Sequence, residues 1–295
     1  MTIGFFPPQV SPKDVNLKAL VSNPTRIQRR LETINKNKYI VDYLFTQSNV
    51  NGGAIIYDRQ EQDLYLDRDA EAIDDGAEFP KLTSEETEPE MDVVRRYGGE
   101  VDLTYASIRR NDTAAYRRKV QQLANTVLRK ANRVAVAAVE RDTHIPTHAL
   151  GTGWDQAAGD PLGDLADVIS MIDDAERGYT ANTVLINPKD AVLLRKRKDI
   201  REALPREDRQ LNPVLSRDLS GLMDLEWIKT PFVPQGSAWV TDRDTLGSFA
   251  DEEGGLRADT YEEKNRHVHV LQAWRTFVPV VTDPYAAVKI TGLSS

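Results

Sequence analysis

The sequence predicts an α+β fold, and three observations carry that expectation. One uninterrupted helical period runs from Asp112 to about Arg141; a helix, a strand and a second helix follow one another between residues 160 and 198; and the last third of the chain is a series of short β-prone runs separated by proline, glycine and aspartate.

The 295 residues, 40% hydrophobic and 28% charged, are enough for one large core or two modest ones. Without cysteine there is neither a disulfide nor a thiolate metal site, which suits a reducing compartment. The first residues carry no basic leader pattern, and no segment approaches the roughly twenty apolar residues that span a bilayer, so neither export nor a membrane partner is expected. A net charge of -8 disfavours nonspecific nucleic-acid binding as the main occupation, and any contact with DNA should be local.

The charge is unevenly laid out. Lys13, Lys18, Arg26, Arg29, Arg30, Lys36 and Lys38 make the start of the chain basic, and residues 1–50 read as an arm. Residues 61–92 are strongly acidic, with Arg68 and Lys81 the only bases, and glycine pairs at 52–53 and 98–99 bracket them. An excursion of this length with little core of its own either stays a mobile acidic loop or does its work on another molecule. Strand-like pieces at 54–57, 64–66 and 93–94 favour a projecting ribbon that finds its partner on a neighbouring subunit. The opposite blocks pair within one subunit or between copies. In the second case Arg26, Arg29 and Arg30 would meet Asp63, Asp67, Asp69, Glu85, Glu86 and Glu88 of a neighbour.

Asp112 is a good N-cap for the long helix, whose Val120, Leu123, Val127, Ala131, Val134 and Ala138 form one apolar stripe. Arg118, Gln122, Asn125, Arg129 and Arg133 line the opposite face, toward solvent, a partner or cargo. Turn residues at 144–153 mark a break. Asp160-Pro161 then reads as N-cap and first helical residue ahead of Leu162, Leu165, Val168, Ile169 and Ile172; Thr183 to Ile186 is a buried strand, and Asn187-Pro188 caps the helix carrying Ala191 and Leu194. Strands are expected at 225–231, 237–240, 267–274 and 286–290.

Signs of catalysis are thin. Gly151 and Gly153 lack the strand, third glycine and lysine of a nucleotide loop. His144 and His148 are separated by Pro146, and His267 and His269 would share one face of a strand; structural or surface roles outweigh metal ligation for all four. Asp67 with Asp69 and Asp173 with Asp174 read as solvated charge. No catalytic residue, cofactor site or metal site is assigned, and no enzyme is expected.

The order of these segments resembles the major capsid proteins of tailed bacteriophages, the Hong Kong ninety-seven fold. Residues 98–107 resemble the strand that returns from the family's extended loop to its spine helix; Trp154 with Asp160 to Asp164 is similar to the start of its axial domain; residues 183–190 resemble its strand-then-helix signature; Gly221 through Asp242 and residues 281–288 resemble the segments that follow and close the chain.

The resemblance implies an N-terminal arm (1–50), an extended loop (51–99), a peripheral domain with the spine helix (100–146), an axial domain (147–263) and peripheral C-terminal strands (264–295). It implies a virion shell subunit that self-assembles as hexamers and pentamers around double-stranded DNA, in the host bacterial cytoplasm, with a portal and a separate scaffold, if any, or decoration proteins as further partners. The contact set it suggests between subunits is the basic and acidic residues above together with Arg118, Arg129 and Arg133. Lys81 is the sole candidate within the excursion for the cross-link some relatives form, and with no matching acid or asparagine in view that cross-link is not expected. An encapsulin-like nanocompartment is the alternative within the fold, and an intracellular α/β enzyme the alternative outside it.

Overall fold

A computed structural model describes residues 17–21, 23–35, 39–48, 52–59, 70–73, 78–83, 89–175, 177–203, 219 and 222–294. The chain divides into two compact units. One comprises Met1–Tyr39, Val94–Ala131 and Asp251–Phe277; the other comprises Ile40–Val93, Asn132–Ala250 and Val278–Ser295.

In the first unit, α1 (Leu17–Val21) and α2 (Pro24–Asn35) precede β4 (Arg95–Thr104), the short α4 (Tyr105–Arg109) and the spine helix α5 (Thr113–Arg141), which belongs to this unit as far as Ala131. As expected, Asp112 opens α5, its Oδ1 accepting from the Ala115 amide at 2.9 Å. Val120, Leu123, Val127 and Ala131 are buried, while Arg118, Gln122, Asn125 and Arg129 are exposed. At about 1.5 Å per residue, the helix's 29 residues extend roughly 43 Å.

The core under α5 includes Leu17, Val21, Ile27 and Leu31 alongside Leu103, Tyr116, Leu271 and Ala273. Residues 17–21 and 24–35, placed in an arm on the strength of their charge, are therefore helical and give one face of each helix to this core. The central strand is β11 (Val268–Val281), with β4 and β10 (Arg257–Glu263) antiparallel on either side of it. β11 runs seven residues beyond the expected Trp274. The strand β10 was not foreseen. His267 also departs from expectation: it stands outside β11 in a left-handed turn with φ 52°, so it shares no strand face with His269. Both rings instead lie near Tyr105, with centroids 5.6 and 5.4 Å away.

The second unit is built on a sheet in the order β5 (Thr147–Ala149), β12 (Ala287–Thr291), β8 (Ser237–Thr241), β6 (Thr183–Ile186), β7 (Glu226–Lys229). β6 is parallel to β7 and antiparallel to β8, and all four of its residues are buried. Helices α6 (Pro161–Asp173) and α7 (Pro188–Lys196) start where expected: Asp160 accepts from the Gly163 amide at 3.1 Å and Asn187 from the Lys189 amide at 3.0 Å. Leu165, Val168, Ile172, Ala191 and Leu194 share the core with Trp154, Val184, Val240 and Ile290. The short helices α3 (Val41–Leu44) and α8 (Lys198–Ala203) also belong here. So do β1 (Thr46–Ser48), parallel to β9 (Gly247–Asp251) through Ala250, and the separate pair β2 (Ala54–Tyr57) and β3 (Glu90–Val93).

Candidate assembly surface

The strands β2 and β3 pair antiparallel at the two edges of the acidic excursion, close to the strand-like pieces expected at 54–57 and 93–94. Their register sets Ala54 against Val93, Ile55 against Asp92, Ile56 against Met91 and Tyr57 against Glu90. Because side chains alternate across a strand, Ala54, Ile56, Met91 and Val93 share one face. That face is apolar and open: Ile56 is 70% exposed, Met91 65% and Val93 54%. The other face carries Ile55, which is buried, and Tyr57, whose hydroxyl donates to Glu90 Oε2 at 2.9 Å. Burial first, then the hydrogen bond to Glu90 and the charges of Asp92 and Glu90, push the Tyr57 hydroxyl well above the usual range.

An exposed apolar side chain by itself needs no explanation, but three on one face of a strand pair, with Ile56 directly opposite Met91, make a small interaction surface. Phe79, farther along the excursion, is 83% exposed, and Ile73 and Lys81 are exposed with it. The described stretches 70–73 and 78–83 contain no helix or strand.

The root of the ribbon is fixed by charge. Arg59, just past β2, donates from Nη2 to Asp142 Oδ2 at 2.6 Å, and its Nη1 lies 3.5 Å from Glu90 Oε1 on the opposing strand. Asp142 follows the last residue of α5, and its Oδ1 accepts from the His144 amide at 3.0 Å. Its carboxylate is almost wholly buried, so the bond to Arg59 is charge-assisted and shielded from water. Sequence reasoning missed this tie, because nothing marks Arg59 and Asp142, 83 residues apart, as partners.

The other residues singled out from the sequence are spread over both units. Asp63, Asp67, Asp69, Glu85, Glu86, Glu88 and the strand-like piece at 64–66 lie outside the described residues. Arg26, Arg29 and Arg30 stand exposed on α2, and Arg118 and Arg129 on the first-unit part of α5. Arg133, exposed on the second-unit part, lies with its guanidinium carbon 5.9 Å from the Phe232 ring centroid. His144 belongs to the turn after α5, whereas His148 pairs with Ile290 in β5. Asp174 accepts from Ser170 at the end of α6. Among the described residues no group of three or more histidines and carboxylates is placed to hold a metal ion. An open cavity of about 400 Å³ lies beside Trp154, Gln156, Lys196 and Arg197. Arg197 there donates to the carbonyls of Gln156 at 2.6 Å and Gly159 at 2.5 Å, a role in holding the loop.

A family model described as phage capsid protein matches residues 88–290. The chain belongs to this phage capsid family. No curated protein matches the sequence. Among solved structures, the chain is similar to a phage-related protein from Bordetella bronchiseptica RB50, at a TM-score of 0.64 and 13% identity over 92% of this chain and 97% of that one. It is similar to the capsid of a native GTA particle, at 0.62 and 13% over 88% and 91%. It is also similar to the virus-like particle from Pyrococcus furiosus, at 0.60 and 12% over 95% and 100%. These likenesses show the fold, the α+β capsid fold of Hong Kong ninety-seven type, and the family gives the chain a structural capsid role.

Proposed function

We propose that this chain is a major capsid protein whose copies assemble as hexamers and pentamers into an icosahedral shell enclosing the double-stranded DNA of a tailed bacteriophage. The observation that carries the proposal is the free apolar face of the ribbon, Ile56, Met91 and Val93 in register on two strands, which a neighbouring copy would cover. The tie from Arg59 to Asp142 supports the same reading, since a projecting element must be held at its root to meet a neighbour in one orientation.

In this reading residues 147–263 are the axial domain near the capsomer centre; residues 100–146 and 264–295 are the peripheral domain; and 51–99 are the extended loop that overlaps the next subunit. Asp63, Asp67, Asp69, Glu85, Glu86 and Glu88 would add charge complementarity to that overlap. The shell is assembled in the host cytoplasm and ends in the virion, with a portal and any scaffold or decoration proteins as further partners.

The second reading is an encapsulin-like nanocompartment, favoured by the likeness to the virus-like particle over almost the whole of both chains. Sedimentation of the purified protein, followed by nuclease treatment and analysis of the contents, tests both. Fast-sedimenting particles that protect double-stranded DNA support the phage capsid; particles filled with protein support the nanocompartment; a species no larger than a small oligomer in every assembly buffer contradicts both.

A further inference from the structure

We infer that the outward faces of α2 and α5 in the first unit form a docking surface for the phosphate backbone of double-stranded nucleic acid. From Thr113 to Val139 the spine helix contains no aspartate or glutamate, although the whole chain carries a net charge of -8. Its first-unit bases divide into two kinds. The lysines are engaged within the unit, Lys119 donating to the Asp102 carbonyl and Lys130 lying 5.3 Å from the Tyr97 ring centroid. The arginines Arg117, Arg118 and Arg129 are exposed, and none of them makes an ion pair with a carboxylate among the described residues.

Helix α2 supplies the second half. Its Ile27 and Leu31 enter the same core as Tyr116, Val120 and Leu123 of α5, and Asn35 Nδ2 donates to the Ala124 carbonyl at 3.4 Å. Arg26, Arg29 and Arg30 then stand exposed on the other side of α2, with Arg30 near enough to α5 for its charge to act on the Tyr116 hydroxyl. The two helices thus present six guanidinium groups without an ion-pair partner among the described residues, and only neutral Gln121, Gln122, Asn125 and Thr126 are exposed between Arg118 and Arg129.

Arginine in this setting matches phosphate, because its planar fork gives charge-assisted hydrogen bonds and most protein contacts with DNA go to the backbone. Arg118 and Arg129, eleven residues apart, are separated by about 16 Å along the helix, close to the rise of five base pairs. The row between them on α5 is neutral, and on α2 the exposed Glu32, whose Oε1 accepts from Gln28 Nε2 at 2.9 Å, is outnumbered by Arg26, Arg29 and Arg30. The acidic balance elsewhere keeps binding local and weak, so that DNA held against this face could still move. The identity of the nucleic acid as packaged DNA rests on the shell reading above; the docking surface itself does not.

The test measures binding of the full-length protein to a 30-base-pair DNA duplex by fluorescence anisotropy across a salt series, with circular dichroism and Tm verifying the fold of each variant. Replacing Arg26, Arg29, Arg118 and Arg129 by glutamine is expected to make the negative slope of log affinity against log salt shallower by about 3.6, that is about 0.9 for each phosphate no longer neutralised. The corresponding lysine variant keeps the charge and is expected to retain the slope. The glutamine pairs R26Q/R29Q and R118Q/R129Q divide the effect in two should the fourfold variant not fold. Absence of salt-dependent binding by the parent, or an unchanged slope in the glutamine variants, overturns the inference. Loss of particles on electron microscopy with the slope intact overturns it too, and assigns the face to a neighbouring copy's acidic excursion. Failure of the parent to form particles while the slope still responds to the arginines overturns the shell reading and leaves this inference standing.

Discussion

Arg275 donates from Nε to Asp251 Oδ2 across 2.9 Å, with both side chains buried in the first unit. The guanidinium lies 4.6 Å from the Tyr39 ring centroid and 5.3 Å from that of Phe277, and Asp251 Oδ1 accepts from the Gly255 amide at 3.0 Å. Removing one member of such a pair strands a buried charge. Asp251→Ala is expected to cost about 3–5 kcal/mol in urea denaturation, and the double variant D251L/R275M less than the sum of its single variants. Additive single effects would show that the pair is not coupled.

The ribbon face gives a prediction that separates folding from assembly. Ile56→Asn with Met91→Asn changes two exposed side chains, so the subunit's stability should move by no more than about 0.5 kcal/mol at each site. Particle yield, measured by sedimentation, should nevertheless collapse. Normal particles from this variant would show that no neighbour covers the face.

Asp142→Ala removes the buried acceptor of Arg59 and should cost about 2–3 kcal/mol. The effect should concentrate on the ribbon, whose amides in 54–57 and 90–93 are expected to exchange hydrogen faster than in the parent while those of β6 do not change. Uniform acceleration throughout the chain would contradict a local anchoring role.

Alkaline titration supplies a fourth kind of measurement. Tyr179 is buried and donates its hydroxyl to Asp283; burial first, then that hydrogen bond, pushes its pKa from 10.0 up to about 12. A group whose pKa is raised on folding contributes stability that is complete below the unfolded value and is lost as pH climbs through the folded one. Stability should therefore fall between pH 10 and about 12, and Tyr179→Phe should make that fall shallower. Asp283 is raised as well, mainly by burial, so its own contribution is present at acid pH and lost as the pH rises above the ordinary carboxylate value. An unchanged alkaline slope in the phenylalanine variant would contradict this assignment.

The parts of this fold that could be read from sequence are those whose signals are local. Asp112, Asp160 and Asn187 announce their helices because a capping side chain and the amide it satisfies lie two or three residues apart. Strand β6 is legible as four consecutive buried residues. Strand β10 is not, since Arg257–Glu263 has no apolar alternation and owes its extended form to pairing with β11. In α2 the charge of Arg26, Arg29 and Arg30 masked the spacing of Ile27 and Leu31, which sends one face into the core and leaves the other free. The apolar ribbon face was hidden for a similar reason: its residues come from two strands, and only the register between Ile56 and Met91 creates it. The pairing of Arg59 with Asp142 is equally long-range, and no spacing rule reaches it.

Whether this member of the phage capsid family builds a closed shell from one repeated subunit is tested most directly by electron microscopy of the purified protein under assembly conditions. Closed, angular particles of uniform size, with hexamers and pentamers resolved in their walls, are the expected result. Small discrete oligomers in every condition would contradict the shell.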